Sequence, residues 1–299
     1  MKRFFLPILM FCLVSLNTLA DEVKSKILSN LSEKISEYGL SLIPGEGYTE
    51  FDLELKERSE PSFSLLAVRD LDKQENSNFF TQFSLHNDDV GGDERYIANL
   101  GLGKRYLNSD KSMMFGVNSF LDRDLREGHT RGSIGFEARA AILEFNYNQY
   151  LNLTDRIDVN GTNESALSGS EYNLSSQIPY APWAVINWRG YKHYADMSAQ
   201  STKGDIYSME LALNPSLQLD LKRDISNHGD GNTYGALLTF VYPPRKNKPT
   251  LVDGLTSNDM FVKANMEDEL SGKVRRNNNL VVEIQGSVII TSKKNYEII

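Results

Sequence analysis

From Thr49 to Tyr242 apolar and polar residues alternate along the chain, and helical periodicity is absent throughout. The stretch "LEFNYNQY" shows the pattern best. Leu143, Phe145 and Tyr147 share one side of an extended segment, and Glu144, Asn146 and Asn148 share the other. "NLGLGKRY" sets Leu100 and Leu102 against Asn99, Gly101, Gly103 and Arg105, and "GSIGFEAR" sets Ile134 and Phe136 against Glu137 and Arg139. "LQLDLKRD" sets Leu217, Leu219 and Leu221 against Gln218, Asp220 and Lys222. The period of two predicts twelve strands, over 49–57, 61–70, 78–86, 94–105, 112–121, 131–139, 141–150, 170–179, 183–193, 204–213, 215–224 and 233–242.

Alternation alone fits two architectures, because a soluble sandwich also keeps one face of each strand polar. Connection lengths separate them. The odd-numbered connections, at 58–60, 87–93, 122–130, 151–169, 195–203 and 225–232, are mostly long and polar. The even-numbered ones, at 71–77, 107–112, around Ala140, 180–182 and 214–215, are mostly tight. Long loops at one end and tight turns at the other predict an all-β, 12-stranded antiparallel transmembrane barrel of the outer-membrane kind. An even strand count closes such a sheet without a free edge, as lipid requires.

If the apolar face meets lipid, the other face lines the lumen. That face is expected to include Asn99, Arg105, Asn118, Glu137, Arg139, Glu144, Asn146, Asn148, Gln177, Asn187, Arg189, Glu210, Asp220 and Lys222. Both charge signs occur, which suits a water-filled pore or a bound plug. Phe83, Tyr96, Tyr147, Tyr172, Trp188, Tyr207 and Tyr242 are candidates for the interfacial aromatic girdles.

The chain ends change the picture. "MKRFFLPILMFCLVSLNTLADE" has Lys2 and Arg3, an apolar run from Phe4 to Leu16 and small residues up to Ala20. This is the form of a secretory signal cut after Ala20, and the run is too short to span a bilayer, which takes about 20 residues. Cleavage would move the net charge from -8 to -10 by removing Lys2 and Arg3, and would take away Cys12, the one cysteine. The mature chain then holds no disulfide. Val23, Ile27, Leu28, Leu31 and Ile35 predict a short amphipathic helix ended by Gly39. The acidic balance, with pI near 5.2, argues against nucleic acid as a partner.

Chemistry-bearing constellations are sparse. His86, His129, His193 and His228 lie near the long-loop end, with no ligand-spaced pair. His86 beside Asp88 and Asp89, and His228 beside Asp230, are the places to look for a hydrolytic pair. "NDDVGGDE" and "NHGDGN" offer oxygen ligands for calcium without completing a known loop. No catalytic residue, metal or cofactor is expected.

The segments "NFFTQFSLHNDD", "RYIANLGLGKRYL", "MFGVNSFLDRDLREGHTRGSIGFEARA", "LEFNYNQYL", "SEYNLSSQIPYAPWAVIN" and "KVRRNNNLVVE" together resemble the β-domain of inverse autotransporters, the intimin and invasin family. The resemblance runs from about residue 49 to 283, with the motifs in the family's order. It implies a twelve-stranded outer-membrane barrel that acts as a translocator. It also implies a helix in the lumen, an outgoing linker and a surface passenger that is typically a row of immunoglobulin-like adhesive domains. Carried over, residues 257–274 would be the lumen helix region and 275–285 the linker. Arg275, Arg276, Asn277, Asn278 and Asn279 would bond to the barrel wall. Glu137, Glu144 and Glu210 are candidate partners for the two arginines.

Two departures stand out. No peptidoglycan-binding module precedes the strands, and "IQGSVIITSKKNYEII" after Glu283 is far short of the roughly 100 residues of an immunoglobulin-like domain. The expected organisation is therefore a signal peptide over 1–20, a periplasmic helix and lead-in over 21–48, the barrel over 49–242, the lumen helix and linker over 243–285, and a minimal passenger over 286–299. Implied partners are outer-membrane lipid, the barrel-assembly machinery, periplasmic chaperones and a receptor on a host or neighbouring cell. Three readings compete with the translocator: a stand-alone barrel acting as a loop-mediated adhesin or plugged pore, an outer-membrane hydrolase, and a soluble β-protein.

Overall fold

The computed structural model describes residues 45–289 except 58–60, 91, 198–199, 228–231, 263–265 and 285–286. The expected signal and N-terminal helix, the final segment apart from Ser287–Ile289, and His228 lie outside the described residues. Twelve long antiparallel strands form a closed barrel. They are β1 (Gly47–Lys56), β2 (Ser62–Gln74), β3 (Ser77–Val90), β4 (Asp93–Leu107), β5 (Met113–Asp124), β6 (Thr130–Ala140) and β7 (Leu143–Asn152). After a small hairpin of β8 (Ile157–Val159) and β9 (Thr162–Ala166) come β10 (Gly169–Ile178), β11 (Ala181–His193), β12 (Thr202–Asn214), β13 (Leu217–Ser226) and β14 (Asn232–Tyr242). Each barrel strand pairs with the next, and β1 closes on β14 from Thr49 opposite Tyr242 to Lys56 opposite Gly235.

All twelve expected strands are present, and several run further. β5 continues three residues past its expected end, and β3 and β4 consume most of the expected loop 87–93. What remains there is a tight turn in which Asp89 Oδ1 accepts the Gly92 N–H at 2.8 Å, so the acidic run is a turn device. The expected loop 151–169 contains the β8–β9 hairpin. A second, four-stranded sheet forms at that end, in the order β16 (Ser287–Ile289), β15 (Val282–Ile284), β9, β8.

The two faces separate as the alternation predicts. Along β5 every second side chain is buried, and those between are exposed. Leu100, Leu102, Val117, Ile134 and Phe136 are among the exposed apolar residues of one continuous outer band. That band is what lipid would cover, since water would leave it as a very large apolar patch. Tyr172 and Trp188 meet edge-on in it, with ring centroids 5.1 Å apart.

The interior is not wholly polar. Leu66, Val68, Phe80, Phe120 and Val274 form a buried cluster inside the barrel. Two glycines make room for its rings. A Cβ on Gly101 would sit 2.3 Å from Phe120, and one on Gly103 would sit 2.4 Å from Phe80. Each ring therefore lies flat over a glycine of β4.

Residues 257–274 hold no regular α-helix among those described; a single 3-10 turn spans Asp268–Ser271. At the end of that turn the carbonyls go to the wall. Asn78 and Arg105 of the wall donate to the Leu270 carbonyl at 3.0 and 3.1 Å, and Arg105 also donates to that of Gly272. Those oxygens serve the barrel rather than a further helical turn.

Candidate functional site

The site is the chain segment 266–284 and the wall it follows. Its lower end lies among wall residues near the tight turns. Ser271 donates to Asp70 at 2.7 Å, and Met266 and Leu270 pack with Leu107 and Met114. Its upper end lies at the long loops, where Leu280 packs on Ile97 and Ala166. Between them the segment is extended and runs antiparallel to β4. Gly272 bonds to Arg105, Asn278 to Asn99, and Leu280 touches Ile97, so eight residues of one chain match eight of the other.

An extended chain without a paired strand leaves its own N–H and C=O groups to be satisfied. Wall side chains do this. Gln82 accepts the Val274 N–H at 2.8 Å, and Glu171 and Tyr150 accept that of Asn277 at 2.8 and 2.9 Å. Arg139, Asn148, Arg131 and Asn99 donate to the carbonyls of Lys273, Arg275, Asn277 and Asn278 at 2.6 to 3.0 Å.

The two arginines leave the linker in different directions. Arg275 bridges the wall, donating from Nε to Glu144 at 2.9 Å on β7 and from Nη2 to Glu210 at 3.0 Å on β12. Arg276 forks onto Asp122 of β5, and its guanidinium lies 4.3 Å from the centre of the Phe120 ring. Asp122 also accepts Nδ2 of Asn99 and Nε of Arg131, at 2.7 and 2.8 Å. Two expected partners of the arginines, Glu144 and Glu210, are thus in place. The third, Glu137, is held instead by Arg105 and Arg139 at 2.9 and 2.8 Å. The linker asparagines act mainly through their backbone, although Asn278 Oδ1 accepts Arg276 Nη1 at 2.9 Å.

Of the positions expected on the lumen face, Asn99, Arg105, Asn118, Glu137, Arg139, Asn146, Asn148, Asn187 and Glu210 are buried. Glu144, Gln177, Arg189, Asp220 and Lys222 are half-buried. Gln177 accepts the N–H of Val262 at 2.9 Å, below the linker. The hydrogen bonds of the linker fall mostly on β3 to β7 and β10. Opposite them a cavity of about 230 Å³ is lined by Glu54, Lys56, His86, Arg189, Lys222 and Asp224. A second, of about 500 Å³, opens at the tight-turn end beside Glu50, Arg245 and Lys248. His86 and His193 both border the upper cavity. Among the described residues, no group of three or more His, Cys, Asp or Glu side chains is placed to hold a metal ion.

Asp122, Arg131, Tyr150 and Glu171 were missing from the expected lumen set, yet they carry the centre of the site. A signal existed. Asp122 keeps the phase of Asn118, Arg131 that of Glu137, Tyr150 that of Asn148, and Glu171 that of Gln177.

Above them, Glu164 of β9 is clamped by both Nη atoms of Arg95 at 2.7 Å and by His129 at 3.2 Å. Burial pushes the Glu164 carboxyl up, but the bonds from His129 and Arg95 outweigh it and hold the group down at about 2.

Comparison with known proteins adds three findings. The family model described as "Inverse autotransporter, beta-domain" matches residues 14–278. The chain is 26% identical over 225 residues to the inverse autotransporter adhesin YeeJ of Escherichia coli (strain K12), covering 71% of this chain and 9% of that protein. It is 23% identical over 210 residues to intimin of Citrobacter freundii, covering 67% of this chain and 22% of the relative. The chain thus spans a small part of the curated relatives it matches. A solved membrane protein, from work described as "Unveiling the Mechanism Behind the in-meso Crystallization of Membrane Proteins", superposes with TM-score 0.62 at 19% identity, covering 79% of this chain and 99% of that one.

Proposed function

The chain belongs to the inverse autotransporter β-domain family, an outer-membrane family of translocators and adhesins, and from this we propose that it exports or displays the segment that follows its linker. The observation that carries the reading is the linker's continuous course from Leu270 at the tight-turn end to Glu283 at the long-loop end. A simple pore has no need of a chain bonded to its wall along that whole course.

The wall chemistry suits transit. Gln82, Asn99, Arg131, Arg139, Asn148, Tyr150 and Glu171 all bond to main-chain atoms of the linker. Every residue but proline has those same groups, so such a wall accepts an extended chain of almost any sequence. Arg275 and Arg276 differ, since their side chains fork onto carboxylates. They mark where passage ends and the linker stays as a plug. In this reading the barrel-assembly machinery and periplasmic chaperones deliver the barrel to lipid. A receptor on a host or neighbouring cell then meets the displayed chain, giving a role in adhesion.

An epitope placed after Ile299 tests the reading on intact cells. Antibody binding without permeabilisation is the expected result. Binding only after permeabilisation would discard export.

A further inference from the structure

We propose that the outer mouth of the barrel is a recognition site for the segment Leu280–Glu283, and that it fixes the register at which the outgoing chain stops. The proposal rests on the translocator reading only for the direction in which the segment arrives.

Three kinds of contact converge on four residues. The first is strand addition. β15 pairs with β9, with Val282 opposite Ala166, Glu283 opposite Ser165 and Ile284 opposite Glu164, and Leu167 donates to the Val281 carbonyl at 2.9 Å. The second is apolar seating. Leu280 is buried against Ile97 and Ala166, and Val281 is buried against Leu167. The third is an anion cradle. Glu283 is fully buried, and its Oε2 accepts the N–H groups of Asp196 and Met197 at 2.7 and 2.9 Å.

The cradle gives the site its discrimination. Strand pairing alone accepts many registers, because main-chain groups are alike. A slip of one residue would put Val282 or Ile284 beside the two amides and send a carboxylate among apolar groups. Both errors leave buried polar groups without partners.

The receiving parts are braced by groups outside the segment. Arg156, in the connection before β8, donates to Asp196 at 2.8 Å and so ties the two loops together. β9 is fixed from the barrel side by Arg95 and His129 on Glu164.

Cysteine pairs in the full chain test the register. Residues 21–299 contain no cysteine, so each introduced pair is unique. Ala166→Cys is combined in turn with Leu280→Cys, Val282→Cys or Ile284→Cys, and outer membranes are oxidised and run on non-reducing gels. A disulfide needs Cα atoms about 4.4–6.8 Å apart, and two residues along a strand add about 6.6 Å. The 166/282 pair should therefore cross-link at least about tenfold more than the other two. Adding Glu283→Lys should spread cross-linking over all three positions, with Glu283→Gln intermediate. Equal cross-linking of the three pairs without the Glu283 change would overturn the proposal. So would an unchanged preference in Glu283→Lys.

The C-terminal epitope separates the two readings. A tag confined inside with a dominant 166/282 cross-link would discard export and keep the mouth site. A tag outside with scattered cross-links would do the reverse.

Discussion

Arg276 and Asp122 stand 154 positions apart in the chain and meet inside the barrel, the two Nη atoms 2.8 and 2.6 Å from the two carboxylate oxygens, with both side chains fully buried. Arg131 closes on the same carboxylate at 2.7 Å, so one aspartate holds a wall arginine and a linker arginine together.

Replacing that aspartate should be costly. Asp122→Ala leaves two buried guanidinium groups facing each other without their shared counter-ion. Loss of one partner of a buried pair costs about 3–5 kcal/mol. The expected outcome is a large fall in the urea midpoint of the folded barrel, followed by its heat-sensitive mobility on gels. Arg276→Met in the same background should restore part of it, because one stranded charge is gone. Strictly additive losses would count against the coupling.

Gly101 should resist enlargement for a steric reason. Its Cβ would lie 2.3 Å from the Phe120 ring, which carries Arg276 on its other face. Gly101→Ala is expected to cost about 1–3 kcal/mol of stability through overpacking. Phe120→Leu combined with it should cost less than the sum of the two single changes. Thermal unfolding in detergent reads both.

Arg275 should influence ion passage. It pairs with Glu144 on β7 and Glu210 on β12, two stretches of wall separated by β10 and β11. Arg275→Ala takes the ion pair from Glu210 and leaves Glu144 to Arg139 alone, beside the lower cavity. In planar bilayers its conductance should rise and its reversal potential should shift toward cation selectivity. Unchanged selectivity would show that these carboxylates do not face the conducting path.

The outer hairpin should loosen in acid. Glu164 has an ordinary value of 4.5 and is held at about 2 in the folded chain. A lowered value means that the stabilisation is complete above about pH 4.5 and fades as pH falls toward 2. Amide exchange of residues 157–166, corrected for intrinsic rate, should therefore quicken between pH 5 and pH 3 relative to β5. Glu164→Gln should exchange faster at both values and lose that step.

The barrel strands were legible because lipid outside and polar groups inside impose a period of two on every crossing. The ends of the strands were not. "FLDRD" and "NDDVGGD" have loop composition, yet pairing continues well into them because inward residues find partners on the neighbouring strand, as Asp122 does with Arg131 directly opposite it on β6. Phe80 and Phe120 broke the polar-lumen expectation for a related reason. They pack against Val274, a residue nearly two hundred positions from Phe80 in the chain, and no local pattern shows that contact. The β8–β9 hairpin was read as loop because its strands are short and β9 gains its second partner only from β15, far downstream.

Arg275 and Arg276 were expected to bond to the wall, with Glu137, Glu144 and Glu210 as candidate partners; Arg275 meets Glu144 and Glu210, while Arg276 meets Asp122, which was not among them. Direction was the missing information. Successive residues of an extended chain point to opposite sides, so Arg275 and Arg276 had to find different walls.

The antiparallel course of the linker along β4 has a mechanical consequence. An extended segment has no coil to pay out, so a pull on the chain beyond β16 meets no slack between Leu280 and Gly272. The forks at Arg276 and Arg275 and the bonds from Arg139, Asn148 and Asn99 then lie roughly crosswise to the pull. They are strained in shear, many at once, instead of opening one after another like a zip. A tether built this way would resist sudden force far better than its modest number of bonds suggests, and would hand that force to the closed sheet around it.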